Sequence, residues 1–185
     1  MKKLLAGLLA ALMIFSAAPM TGLAAQAEIM LAAASERATE DFSYQVLEDG
    51  TAEITGYTGS AEELTIPSEI DVYLVTSIGD MAFYDCTGLS DVAIPSSVTS
   101  IGISAFSGCI HLKSVTLGSG LKSLGHDAFS GTAITEVTIP KSVTYMNFPF
   151  NGAETLKKVV FEDGMETIPS SAAFRLHQRR ASRYP

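Results

Sequence analysis

The stretch Leu89-x-x-Val92-x-Ile94-Pro95-x-x-Val98-x-x-Ile101-Gly102-x-x-Ala105-Phe106-x-x-Cys109 returns along the chain with its apolar residues in the same places. Ile78-Gly79, Ile101-Gly102 and Leu124-Gly125 lie 23 residues apart, and Met146-Asn147 and Ile168-Pro169 continue the series at 22. Five turns are counted this way. Each of the first three steps is followed by Ala-Phe (Ala82-Phe83, Ala105-Phe106, Ala128-Phe129), and the last two by Pro149-Phe150 and Ala173-Phe174. Three residues after the Phe stand Cys86, Cys109, Thr132 and Ala153, then Leu89, Leu112, Ile134 and Leu156. Val92-Ala93-Ile94, Val115-Thr116-Leu117, Val137-Thr138-Ile139 and Val159-Val160-Phe161 alternate as strands do, with Leu64-Thr65-Ile66 as an earlier copy. Val98, Leu121, Val143 and Met165 lead into the next step.

A turn of this length cannot bury its own apolar side chains, but stacked turns share one continuous core. The expected fold is a mainly-β repeat solenoid in which one Phe per turn joins a stacked spine. Glycine after Ile is expected at a tight bend of positive φ, a conformation that Asn147 tolerates in the fourth turn and Pro169 does not. Pro67, Pro95 and Pro140 close three strands, where a missing N–H ends a ladder.

The repeat resembles the BspA-type leucine-rich repeat of bacterial surface proteins over about residues 63–174. The stretch from Phe42 to Ile78 is similar to the N-terminal cap that precedes such arrays. The resemblance implies a secreted or surface-exposed protein whose repeats present a parallel sheet for adhesion or protein binding, with no shared catalytic residues to carry over. Phe148-Pro149-Phe150 in place of Ala-Phe departs from the pattern, as does the absence of a capping unit after the fifth turn.

Ahead of the repeat, Phe42, Tyr44 and Val46 alternate into Glu48-Asp49-Gly50, and Ala52, Ile54 and Tyr57 resume, a hairpin signal that makes 42–62 the N-terminal cap. Lys2 and Lys3, the apolar run from Leu4 to Phe15, the breakers Pro19 and Gly22, and Ala25-Gln26-Ala27 read as a secretory signal peptide over 1–27. The run is too interrupted for a spanning helix, so no membrane span is expected after cleavage. Residues 28–41 read as a tether. Past Phe174 an irregular basic tail, 175–185, carries Arg175, Arg179, Arg180 and Arg183 without an acid, so the array stops in mid-turn. Either the chain is a truncated or frame-shifted piece of a longer array, or the tail meets an anionic polymer. The unfinished coil predicts fraying or self-association from about Phe148 onward.

Twelve Lys and Arg against 20 Asp and Glu give a net charge of −8. Loss of Lys2 and Lys3 with the leader takes it to −10, which disfavours nucleic acid as a partner. His111, His126 and His177 occupy different phases of the repeat, and no Cys-x-x-Cys, His-x-x-x-His, Gly-x-Ser-x-Gly or Asp-rich calcium loop is present. No metal, no cofactor and no catalysis is therefore expected. Gly118-Ser119-Gly120 lacks the third glycine and helix of a phosphate loop and reads as a turn. Cys86 and Cys109 share a phase in successive turns at a separation a disulfide tolerates, but in-register side chains point the same way, which favours free, buried thiols.

Binding is expected on the strands. Stacking aligns their outward residues into two columns: Glu63, Asp91, Ser114, Glu136 and Lys158 in the outer, and Thr65, Ala93, Thr116, Thr138 and Val160 in the inner. A flat, sterically open inner column beside a mainly acidic outer one suits a broad protein or bacterial surface component better than a small molecule. The rival expectations are that these are ordinary exposed strand residues, and that the chain is a structural spacer without a ligand of its own.

Overall fold

The computed structural model describes residues 40–165. The leader, nearly all of the tether, the fifth Ile-Pro step and the tail fall outside them, together with the expectations attached to those segments.

The chain enters through β1 (Phe42–Val46) and β2 (Ala52–Tyr57), an antiparallel pair. Gly50 makes the turn at φ +80°, and the Asp49 carboxylate accepts bonds from the Thr51 N–H (3.0 Å) and hydroxyl (2.7 Å). These two bonds hold the Asp49 carboxyl below its ordinary pKa. β3 (Glu63–Thr65), β4 (Glu69–Ile70) and β5 (Tyr73–Ile78) come next. Each later turn adds a pair: β6 (Asp91–Ala93) and β7 (Ser100–Ile101), β8 (Ser114–Thr116) and β9 (Ser123–Leu124), then β10 (Glu136–Ile139) and β11 (Tyr145–Met146). β12 (Lys158–Phe161) is the last strand described.

Two parallel ladders run along this coil. The Val-x-Ile strands form the first, β3-β6-β8, with β10-β12 as a separate pair beyond it. The short strands ahead of each glycine form the second, β2-β5-β7-β9-β11, with β1 outside β2 and β4 antiparallel to β5. The hairpin therefore extends the second ladder, while the first begins at β3.

Between the ladders lies the expected spine. Phe83, Phe106, Phe129 and Phe150 stack with ring centroids 4.6, 5.2 and 5.3 Å apart and planes within 14° of parallel. Phe42 and Tyr57 of the hairpin close its first end, 6.3 and 5.4 Å from Phe83. Each fully buried Phe contributes about 1.5–3 kcal/mol of apolar burial, and Phe83, Phe106 and Phe129 are fully enclosed.

One expectation fails. Gly79, Gly102 and Gly125 are not among the positive-φ residues. A Cβ on Gly102 would lie 2.6 Å from Asp80 N and 2.7 Å from Gly79 C, and one on Gly125 would lie 2.5 Å from Gly102 C. Glycine is needed there because successive turns touch backbone to backbone. The left-handed positions flank the spine instead: Met81, Ser104, Asp127 and Phe148 two residues before the Phe (φ 57°, 53°, 55° and 45°), and Asp85, Gly108, Gly131 and Gly152 two residues after it. Phe148 stands where Asp127 stood one turn earlier, so the fourth turn has lost its residue between Asn147 and Phe148. Gly118-Ser119-Gly120 is a turn pressed onto the preceding rung, since a Cβ on Gly118 would meet Pro95 O at 2.3 Å.

Candidate functional site

The first ladder carries the expected columns in register. Glu63 aligns with Asp91 and Ser114, and Thr65 with Ala93 and Thr116; after the gap between β8 and β10, Glu136 aligns with Lys158 and Thr138 with Val160. Leu64 and the valines between them pack toward the core, and all ten side chains reach solvent: Asp91 and Ala93 are half-buried and the other eight exposed. Asp91 accepts a bond from the Ser90 hydroxyl at 2.7 Å. The outer column changes character along its length. Glu63 and Asp91 are neighbouring acids, whereas Lys158 Nζ lies 3.3 Å from Glu136 Oε2 and balances it. The structure thus leaves an acidic half and a neutral half.

A concavity opens on the second ladder, where the sequence pointed to nothing. Its floor is the glycine column Gly79, Gly102 and Gly125, and the groove encloses about 470 Å³. One wall is Ser77, Ser100 and Ser123, the residues just ahead of each Ile-Gly or Leu-Gly step, with Glu53 and Thr55 of β2 at the capped end. Asp80 and Ile103 form the other wall. Ser77 donates to Glu53 Oε2 at 2.9 Å, and its Oγ lies 2.9 Å from Ser100 Oγ. Gln45 Nε2 donates to Glu53 Oε1 at 2.7 Å, and Ile103 N–H to Asp80 Oδ1 at 2.6 Å. The signal available in the sequence was the serine repeated at 77, 100 and 123.

Both cysteines are free thiols. Cys109 is buried and donates to Phe83 O at 3.1 Å, and burial is the first cause that pushes its pKa to about 12. Cys86 is half-buried, and burial raises its thiol too. At the same phase Thr132 donates its hydroxyl to Phe129 O at 2.8 Å, so a small donor pointing into the coil meets the need of this position. In the cap, the Tyr44 hydroxyl donates to Asp71, and that bond, before burial, raises its pKa to about 12. His111 Nδ1 lies 2.7 Å from Thr87 O and His126 Nδ1 3.1 Å from Asp127 Oδ2, two separate places. Among the described residues no three of His, Cys, Asp and Glu are grouped to hold a metal ion. No described helix is long and apolar enough to cross a membrane.

The family model described as BspA type leucine rich repeat region matches residues 57–178 in six copies, one more than the Ile-Gly count. The chain belongs to the BspA-type leucine-rich repeat family. Among solved structures, this repeat protein is similar to a leucine-rich repeat protein from Bacteroides capillosus, at 35% identity and a TM-score of 0.61, over 66% of this chain and 94% of that one. It is also similar to the T. pallidum leucine-rich repeat protein, at 26% identity and a TM-score of 0.52, over 65% of this chain and 79% of that one. A leucine-rich cell surface protein from Faecalibacterium prausnitzii aligns at 29% identity with a TM-score of 0.51, over 66% of this chain and 41% of that one. A comparison with curated proteins gives no match.

Proposed function

We propose that this leucine-rich repeat protein is exported, stands in solution or at the cell surface, and binds a protein or another bacterial surface component through the first-ladder face. It does so as a scaffold rather than an enzyme. The observation that carries the reading is the pair of in-register columns, solvent-reaching on every described rung, which suits the broad contact of one folded surface with another. The signal-like leader supports export, and the similarity to a protein described as a cell surface protein supports display.

Two measurements test this. Intact mass of the exported protein should correspond to a chain beginning at Glu28, and a mass that retains residues 1–27 refutes cleavage. For binding, Asp91→Lys with Glu136→Lys reverses the outer column while leaving the apolar inward residues in place. Capture of partners from bacterial surface extracts should be lost in this double variant and retained in Glu154→Lys, an exposed loop control. Equal capture by parent, double variant and control removes the sheet face from consideration.

A further inference from the structure

The groove on the second ladder is a by-product of stacking: three successive rungs have no side chain at the glycine step, because a Cβ there would strike the neighbouring backbone. Its hydrogen-bonding character is one-sided. The floor amides are already committed, Gly79 N–H to Ile54 O, Gly102 N–H to Ile78 O and Gly125 N–H to Ile101 O, each at 2.8 Å, while Ile103 N–H is taken by Asp80. Ser77 spends its proton on Glu53, so in the Ser77–Ser100 contact it is Ser100 that donates. The lone pairs of Ser100, Glu53 and Asp80 therefore remain to receive bonds, and only Thr55 and Ser123 keep a hydroxyl proton to offer. No Lys, Arg or His lines the groove, and Ile103, 52% exposed, gives an apolar ledge beside Asp80.

An anion meets two carboxylates and no cationic side chain here, and a neutral sugar, which presents donors and acceptors together, is only half met. Two carboxylates supply few of the six to eight oxygens that calcium takes. A ligand with an excess of N–H donors, a positive head and an aliphatic stem meets every vacancy.

We propose that this groove binds a basic side chain carried on an extended peptide, its ammonium or guanidinium between Glu53 and Asp80 and its stem along Gly102 and Ile103. Ser100 and Ser123 accept from the peptide N–H groups on the following rungs. The site lies on a different ladder from the sheet-face columns and does not depend on them.

The experiment titrates the isotope-labelled protein with an acetylated, amidated hexapeptide of alternating lysine and glycine, followed by amide NMR. Saturable shifts are expected at Gly79, Gly102, Ile103 and Gly125. Glu53→Gln with Asp80→Asn should weaken binding about tenfold or more, as for the loss of charge-assisted bonds, and Asp91→Asn with Glu136→Gln less than about twofold. Ser100→Lys, which puts a cation from the chain itself into the groove, should block the peptide while thermal unfolding shows the fold intact; it decides the matter if the first double variant unfolds. Shifts centred elsewhere, equal loss in both double variants, or tighter binding of a glutamate-glycine peptide, maltohexaose or calcium overturns the assignment. Failure here with the Asp91/Glu136 partner capture intact leaves the sheet-face reading standing.

Discussion

The two ladders are built by the same turns, yet they solve the stacking problem differently. Strands of the first are three or four residues long and keep alternate side chains in solvent, so their faces are tolerant and their register is set by the inward Val-x-Ile pattern. From β7 onward the strands of the second are two residues long and end at a backbone-to-backbone contact. The first ladder is interrupted between β8 and β10, where the repeat passes from 23 residues to 22, while the second runs unbroken from the cap to β11. Where little side chain is present to adjust, the geometry is tighter and the pairing more continuous.

The sharpest way to break that contrast is to add one methyl group on each side. Gly125→Ala places a carbon 2.5 Å from Gly102 C and 2.6 Å from Gly102 O, backbone atoms that cannot move aside singly. We expect a loss of about 3 kcal/mol, at the upper end of overpacking costs, read as a shift of the urea midpoint. Thr116→Ala, on the exposed face of the first ladder, should stay within about 0.5 kcal/mol. Similar midpoints for the two variants would mean that the rungs have slack at the glycine column.

The interrupted ladder should show itself in local opening. Peptides covering β10 and β12 are expected to exchange their amide hydrogens about tenfold faster than those covering β6 and β8, because β10 lacks a ladder partner on its β8 side and the first-ladder edge can open there while the second ladder stays paired. Equal protection on both sides of the seam would show that the second ladder and the spine, with Phe106 and Phe129 stacked at 5.2 Å and the Phe106 N–H donating to Ala128 O at 2.7 Å, couple the two halves completely.

These contrasts explain what could be read from residues alone. The Phe spine and the first ladder were legible because each is a side-chain pattern: one aromatic per turn, and apolar residues two apart. The second ladder was not, since two-residue strands leave no alternation to detect, and its Ile-Gly signature was read as a bend. Glycine is demanded by positive φ and by close approach alike, and only coordinates separate the two: Gly79, Gly102 and Gly125 answer to approach, Gly108, Gly131 and Gly152 to φ. The groove escaped for the same reason, being made of absent side chains on three rungs. Charge pairing along the outer column also needed register, because Glu136 and Lys158 are 22 residues apart and meet only when stacked.

Phe148 offers a smaller perturbation next to the second ladder. It holds φ +45°, is 46% exposed, and meets His126 edge-on with 6.4 Å between ring centroids. A left-handed conformation costs a bulky L-residue roughly 1–2 kcal/mol and asparagine less. Phe148→Asn should therefore raise stability by about 0.5 kcal/mol after the ring contact is lost, measured by urea unfolding. A destabilisation would show that the ring packs more tightly than its exposure suggests.

The smallest effect at neutral pH, and the one that separates inward from outward chemistry, belongs to Cys109. Its thiol is held protonated up to about 12, against an ordinary value of 9.0, because ionisation inside the coil would strand a charge away from water. In the unfolded chain the same thiol loses its proton near 9, so between 9 and 12 the unfolded state binds fewer protons and folding stability falls as pH rises. Below 9 both states are protonated and the contribution is constant. Tyr44, also raised to about 12, adds a loss of the same sign above 10. Cys109→Thr isolates the thiol, since Thr132 shows that a hydroxyl fits this phase by donating to a spine carbonyl. The variant should match the parent in urea midpoint dependence from pH 6 to 8 and decline less steeply from 9 to 11. Identical slopes above 9 would mean that the buried thiol reaches solvent in the folded protein, and alkylation of Cys109 as fast as of Cys86 would mean the same.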